Sequence, residues 1–147
     1  MAEQRHALVT WSGDLLSGAG TIDYVSSGVF SRMPVSWAAR TGPHNGKTSP
    51  EELLAAAHGS CFSMAFSARL AKNGTPATKL SVKAEVSFDN ASGGWKVTRS
   101  VITVVGEVPG IDLATFRTIA EDAKDNCPIS IALKGNVELT VDATLQD

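Results

Sequence analysis

"SPEELLAAAHGSCFSMAFSARLAKNG", residues 49–74, decides how this chain is read. Ser49 suits a helix N-cap, Pro50 the first helical position, and Glu52 completes an S-x-x-E capping box. Helix formers then run almost unbroken to "KNG", where Gly74 can take the left-handed conformation that ends a helix. Few charges fall between residues 53 and 68, so the pattern predicts a long helix buried on most sides. A helix of that kind must be covered. One small sheet covers one face, and a second subunit is the natural cover for the other, so a dimer is expected.

The flanks read as strands. "HALVTWSG" and "GTIDYVSSGVFSRMPVSW" carry β-branched and aromatic residues broken by glycine-containing turns. "RTGPHNGKTSP", residues 40–50, is a loop by composition. After the helix, "TKLSVKAEVSF" alternates, with Leu80, Val82, Ala84, Val86 and Phe88 on one side and polar residues on the other. "NASGG" makes a turn into a second long strand, "WKVTRSVITVVGEV". "IDLATFRTIAEDAKDN" returns to helical spacing through Phe116, Ile119, Ala120 and Ala123. Pro128 in "CPIS" can start a fresh helical turn, and "NVELTVDATL" closes the chain as a strand. The order predicts an α+β fold with mostly antiparallel sheet, in a single domain spanning residues 1–147.

A chain of 147 residues with 43% apolar and 19% charged residues has the balance of a globular domain. Its net charge of −2 gives no reason to expect nucleic acid or an anionic membrane as partner. The opening residues lack the apolar run of a secretory signal, and no stretch approaches the ~20 apolar residues of a spanning helix. A cytoplasmic protein is expected. Two cysteines are too few for a disulfide scaffold, which turns attention to their chemistry.

Cys61 sits mid-helix, ~18 Å from the helix start at 1.5 Å per residue, where the helix dipole contributes little. Burial beside Ala57, Met64 and Ala65 raises a thiol pKa, so a reactive Cys61 needs a cation brought to it. Cys127 precedes Pro128, at the N-cap of a helical turn, where backbone N–H groups favour thiolate; on local electrostatics it is the better nucleophile. A reactive thiol with a second thiol in reach makes a redox cycle. His58, three residues before Cys61, can share its helix face as a Cys–His nucleophile, or join Cys61, Cys127 and His44 around zinc. Neither has a specific spacing signature, and a hydrogen-bonded structural histidine is the plainer reading. Glu51 is left over once Glu52 is assigned to the capping box, and Arg40 opens the Gly/Pro loop.

"TSPEELLAAAHGSCFSMAFS" resembles the helix signature of the OsmC/Ohr family, the osmotically inducible protein C and organic hydroperoxide resistance proteins. "WSGDLLSGAGTI", "AARTG", "VPGIDLATF" and "AKDNCPIS" resemble further blocks of that family in the same order, and the A-A-H-x-x-C-F-S-M run looks more like its OsmC branch. The resemblance implies an intertwined homodimer of mostly antiparallel sheets around long buried central helices. It implies a thiol peroxidase that reduces organic hydroperoxides, and hydrogen peroxide less readily, with no cofactor or metal. Carried over by motif, Cys61 is the peroxidatic cysteine, Cys127 the resolving one, Arg40 the residue that stabilises thiolate and peroxide, and Glu51 the residue that orients Arg40. A dithiol must reopen the disulfide, and a lipoylated protein is the reductant that Ohr relatives suggest.

Glu51 and Cys61 lie ten residues apart on one helix, ~15 Å along its axis, so Glu51 with Arg40 is expected to serve the Cys61 of the partner chain. Phe62, Met64, Phe66 and Ile129 lie near the cysteines in sequence; Phe62, Met64 and Ile129 are the expected substrate wall, an apolar one favouring alkyl hydroperoxides. Two other classes remain open. A small-molecule binding or redox-sensing module would show no turnover, and a Cys–His hydrolase would act without Cys127.

Overall fold

The computed structural model describes residues 1–146. The chain falls into two compact units that meet inside its longest helix, Met1–Leu53 and the remainder from Leu54. In the first unit, β1 (Ala7–Ser12), β2 (Ala19–Val25) and β3 (Ser31–Val35) form an antiparallel sheet in the order β1-β2-β3. A bulge between Leu8 and Val9 interrupts the first pairing. A short helix follows, α1 (Trp37–Thr41), N-capped by Ser36, whose Oγ accepts from the Ala39 N–H at 3.2 Å. The sequence reading had carried this segment as the end of a strand and the start of a loop. The serine cap and the run Trp-Ala-Ala-Arg were the available helix signal, masked by the β-rich residues before them.

The long helix, α2 (Pro50–Lys72), begins as its sequence dictates. Ser49 Oγ accepts from the Glu52 N–H at 3.2 Å. The return half of the capping box is replaced, because the Glu52 carboxylate accepts from the Thr48 hydroxyl at 2.7 Å instead. At the far end Gly74 takes φ +83°, and its N–H bonds the Ala71 carbonyl at 3.0 Å. A side chain there would force a left-handed conformation that glycine adopts freely.

In the second unit, β4 (Lys79–Ala91), β5 (Gly94–Glu107) and β6 (Glu138–Leu145) form a sheet in that order. β4 and β5 are an antiparallel hairpin closed between Ala91 and Gly94. β6 runs parallel to β5, from Arg99↔Glu138 to Gly106↔Leu145. A parallel neighbour needs a crossover, and α3 (Leu113–Asn126) with α4 (Pro128–Leu133) provides it. Three of the four strand pairings are thus antiparallel and one is parallel, the mixed α+β arrangement with mostly antiparallel sheet.

The core of this unit is an aromatic and aliphatic layer between helices and sheet. Phe62, Phe66 and Leu70 of α2 meet Ile102 and Val104 of β5 and Phe116, Ala120 and Ala123 of α3, all fully buried. The ring centroids of Phe62 and Phe66 lie 5.4 Å apart, and those of Phe66 and Phe116 5.0 Å. Gly106 makes room for this layer, since a Cβ there would stand 2.5 Å from Phe116 Cζ.

Within the single chain, α2 is buried on one side, the face given to the small sheet. His58, Phe62, Phe66 and Leu70, spaced four apart, form the buried stripe. Ala56, Ala57, Ser60, Met64, Ser67 and Ala68 are exposed. The physical reason is area, since a three-stranded sheet covers one face of a helix. No helix among the described residues is long and apolar enough to cross a membrane.

Candidate active site

Two constellations contain the residues singled out by sequence, one in each unit. In the first, Arg40 in the last turn of α1 faces Glu51 in the first turn of α2. Arg40 Nη2 donates to Glu51 Oε1 at 2.6 Å, and Nε lies 3.2 Å from both carboxylate oxygens. The Glu51 side chain is 10% exposed and that of Arg40 27%. The guanidinium carbon also sits 5.5 Å from the centre of the Trp37 ring, a cation–π contact one turn back on α1. A planar cation clasped on one edge and stacked on a ring has few orientations left. Sequence reasoning found the pair but missed Trp37, whose signal was its three-residue spacing from Arg40.

In the second unit, Cys61 and Cys127 come together. Both are free thiols; Cys61 is half-buried and Cys127 fully buried. Cys127 caps the N-terminus of α4, and this turn brings two groups to the Cys61 sulfur. One is the Cys127 thiol and the other is the Ile129 N–H, and both act on the charge of the Cys61 sulfur. Burial first, and Cys127 second, push the Cys61 thiol above its ordinary pKa, while the Ile129 N–H opposes them. The sequence could assign Cys61 no backbone donor, because that donor comes from a turn in a distant part of the chain.

His58 is fully buried one turn before Cys61. Its Nδ1 lies 2.7 Å from Ser100 Oγ on β5, and its Nε2 lies 2.8 Å from Ser130 Oγ on α4. Burial lowers its pKa, so the imidazole is neutral, with one nitrogen donating and the other accepting. Both nitrogens are engaged by hydroxyls. That leaves His58 neither a base for Cys61 nor a free metal ligand. Among the described residues, no group of three or more His, Cys, Asp or Glu side chains is placed to hold a metal ion. The serines were invisible in sequence, lying 42 and 72 positions from their histidine.

The expected substrate wall does not assemble as one surface. Phe62 is fully buried in the core, Met64 is 68% exposed, and Ile129 is half-buried. Phe62 and Met64 are two residues apart on a helix, ~200° around its axis, so they point to opposite sides. Of the three, Ile129 packs against the same cluster as Cys61, and its N–H acts to lower the Cys61 pKa.

These features define a class, an α+β protein with a pair of reduced thiols brought together by a long helix and a helical cap. Residues 42–142 match the family described as OsmC-like protein. The peroxiredoxin OsmC of Escherichia coli (strain K12) is 40% identical over 136 residues, covering 92% of each chain. An organic hydroperoxide resistance protein of Xanthomonas axonopodis pv. citri is 35% identical over 97 residues, covering 64% of this chain and 65% of that one. Among solved structures, an OsmC-like protein of unknown function from Vibrio cholerae matches with a TM-score of 0.76 at 21% identity, covering 97% of this chain and all of the other. The organic hydroperoxide resistance protein OhrB of Bacillus subtilis matches with a TM-score of 0.72 at 22% identity, covering 95% and 98% of the two chains. The chain belongs to the OsmC-like family.

Proposed function

We propose that this protein is a cysteine peroxidase that reduces organic hydroperoxides to alcohols in defence against oxidative stress. The observation that carries the reading is the placing together of two free thiols, Cys61, half-buried, and Cys127, fully buried, in one packed cluster. Local electrostatics in the sequence preferred Cys127 as attacker. Access reverses that preference, because a peroxide reaches a half-buried sulfur before a fully buried one. The names of the relatives, peroxiredoxin OsmC and organic hydroperoxide resistance protein, support the same chemistry.

In this mechanism the Cys61 thiolate attacks one peroxide oxygen and the O–O bond breaks. The alkoxide takes up a proton and leaves as alcohol. Cys61 becomes a sulfenic acid. The Cys127 sulfur then attacks the Cys61 sulfur, water leaves, and a disulfide forms within the subunit. A dithiol, for which a lipoylated protein is our candidate, returns both thiols. Burial holds the resting thiol protonated, so the step requires a cation. Arg40, oriented by Glu51, is our assignment for that role, and it acts on the Cys61 of a partner subunit. Support for a homodimer comes from apolar surface left open by the chain: Leu8, Val9 and Trp11 are 48%, 55% and 41% exposed, and Met64 68%. Met64, on the open face of α2, and Ile129 remain candidates for substrate contact, whereas Phe62 supports the site from beneath.

The test is consumption of cumene hydroperoxide with dithiothreitol by wild type, Cys61→Ser and Cys127→Ser, with mass spectrometry after one peroxide equivalent. The reading expects Cys61→Ser to lose the first turnover and Cys127→Ser to accumulate sulfenic acid. Wild type that consumes no peroxide, with both thiols still reduced, refutes it.

A further inference from the structure

The imidazole of His58 takes no part in the proposed sulfur chemistry, yet both of its nitrogens are hydrogen-bonded in the second unit's interior. Its two hydrogen bonds, 2.7 Å to Ser100 and 2.8 Å to Ser130, join three elements: α2, β5 and α4. α2 carries Cys61 and α4 begins at Cys127. His58 stands three residues before Cys61, and Ser130 stands three residues after Cys127. The His58–Ser130 bond therefore ties together the two turns that present the two thiols.

We propose that His58, clasped between Ser100 and Ser130, is a positioning residue that holds the Cys127 turn in register with Cys61 through the redox cycle. Any direct contact of the Cys127 turn with Cys61 passes through the Cys61 sulfur, which packs against Cys127. It must be remade whenever that sulfur takes up oxygen or forms a disulfide. The His58–Ser130 bond contains no sulfur and can survive every state. It is also dry: His58 and Ser100 are fully buried and Ser130 is 1% exposed, so water does not compete for its groups. Ser100 contributes the fixed end, since β5 is the central strand of its sheet. The consequence is a high effective concentration of one thiol at the other, which small displacements erode steeply.

The inference deepens the peroxidase reading, but its main test uses no peroxide. Wild type, Ser130→Ala and Ser130→Thr are equilibrated with oxidised and reduced dithiothreitol. In this exchange the two protein thiols pass both hydrogens to oxidised dithiothreitol and form the Cys61–Cys127 disulfide. Loss of one buried hydrogen bond should shift the balance in Ser130→Ala about tenfold toward the dithiol. Ser130→Thr, which keeps the hydroxyl, should recover most of that loss. If Ser130→Ala lowers the melting temperature yet keeps the wild-type thiol–disulfide balance, the serine is structural only and the proposal is wrong. Should Ser130→Ala fail to fold, Ser100→Ala frees the same imidazole from the thiol-free strand and is read in the same way. A second arm adds cumene hydroperoxide, where Ser130→Ala should slow disulfide closure about tenfold more than it slows the first oxidation. Wild type that forms the disulfide in dithiothreitol but ignores hydroperoxide defeats the peroxidase reading alone, and the equilibrium arm still decides the role of His58.

Discussion

Glu51→Gln is the substitution that most directly probes the proposed activation of Cys61. The side chain keeps its shape, and the amide oxygen can still accept the 2.6 Å bond from Arg40 Nη2. The negative charge is lost, and the amide NH₂ now faces the Arg40 Nε–H, donor against donor. A charge-assisted hydrogen bond contributes roughly 1.5–3 kcal/mol by mutational measures. With Arg40 27% exposed, water softens the loss, which places the expected cost near the lower end, about 1.5–2 kcal/mol. That cost corresponds to a fall of roughly 10- to 30-fold in kcat/KM for cumene hydroperoxide if the held guanidinium stabilises the transition state. Rapid-mixing kinetics of the first oxidation, with circular dichroism to confirm folding, measures it. Folded Glu51→Gln with wild-type kcat/KM would show that the ion pair is structural and that Arg40 needs no orienting carboxylate.

Other consequences of the structure are equally open to measurement. In its own unit Cys61 is held above the ordinary thiol pKa of ~8.5, by burial first and Cys127 second, so a working Arg40 must reverse this. Wild-type Cys61 should then be alkylated by iodoacetamide with an apparent pKa below ~8.5, and Arg40→Met should move it above; identical profiles would remove Arg40 from the activation. His58 has a lowered pKa in the folded chain, so the unfolded chain takes up the proton first as pH falls. Its contribution to stability is therefore intact above about pH 6.5 and is lost below it, by at most about 1.4 kcal/mol per pH unit. Melting temperatures between pH 7.5 and 5 should show a steeper decline in wild type than in His58→Gln. Phe66→Ala empties the centre of the aromatic layer and should destabilise by about 3–5 kcal/mol in urea titrations. Gly106→Ala sets a methyl 2.5 Å from Phe116 Cζ and should lose about 1–3 kcal/mol. A neutral result for either would mean that the Phe66–Phe116 layer is less tightly packed than its 5.0 Å ring spacing implies.

Local rules made much of the fold legible in sequence. Ser49, Pro50 and Gly74 bound the long helix because caps and breakers act within a few residues of backbone. Strict alternation marked β4, and Cys127–Pro128 marked the start of α4. Where two local signals competed the reading slipped: β-rich residues hid the Ser36 cap of α1, and Thr48 drew the Glu52 carboxylate away from its capping box. A parallel partner for β5 left no local mark, because strand direction is set by the crossover rather than by the strand's own residues.

The site divides along the same line. By itself the sequence nominated the residue types for the proposed chemistry: two thiols, an arginine and a glutamate inside motifs that resemble one family. Only tertiary structure decided which cysteine faces outward, because burial is a sum over distant neighbours. The reach of two serines to His58 was also decided there, for hydrogen bonds of ~3 Å connect groups that the chain separates by tens of residues. The same cause split Phe62 from Met64: adjacency in sequence suggested one wall, and the turn of the helix sent one to the core and the other to the surface.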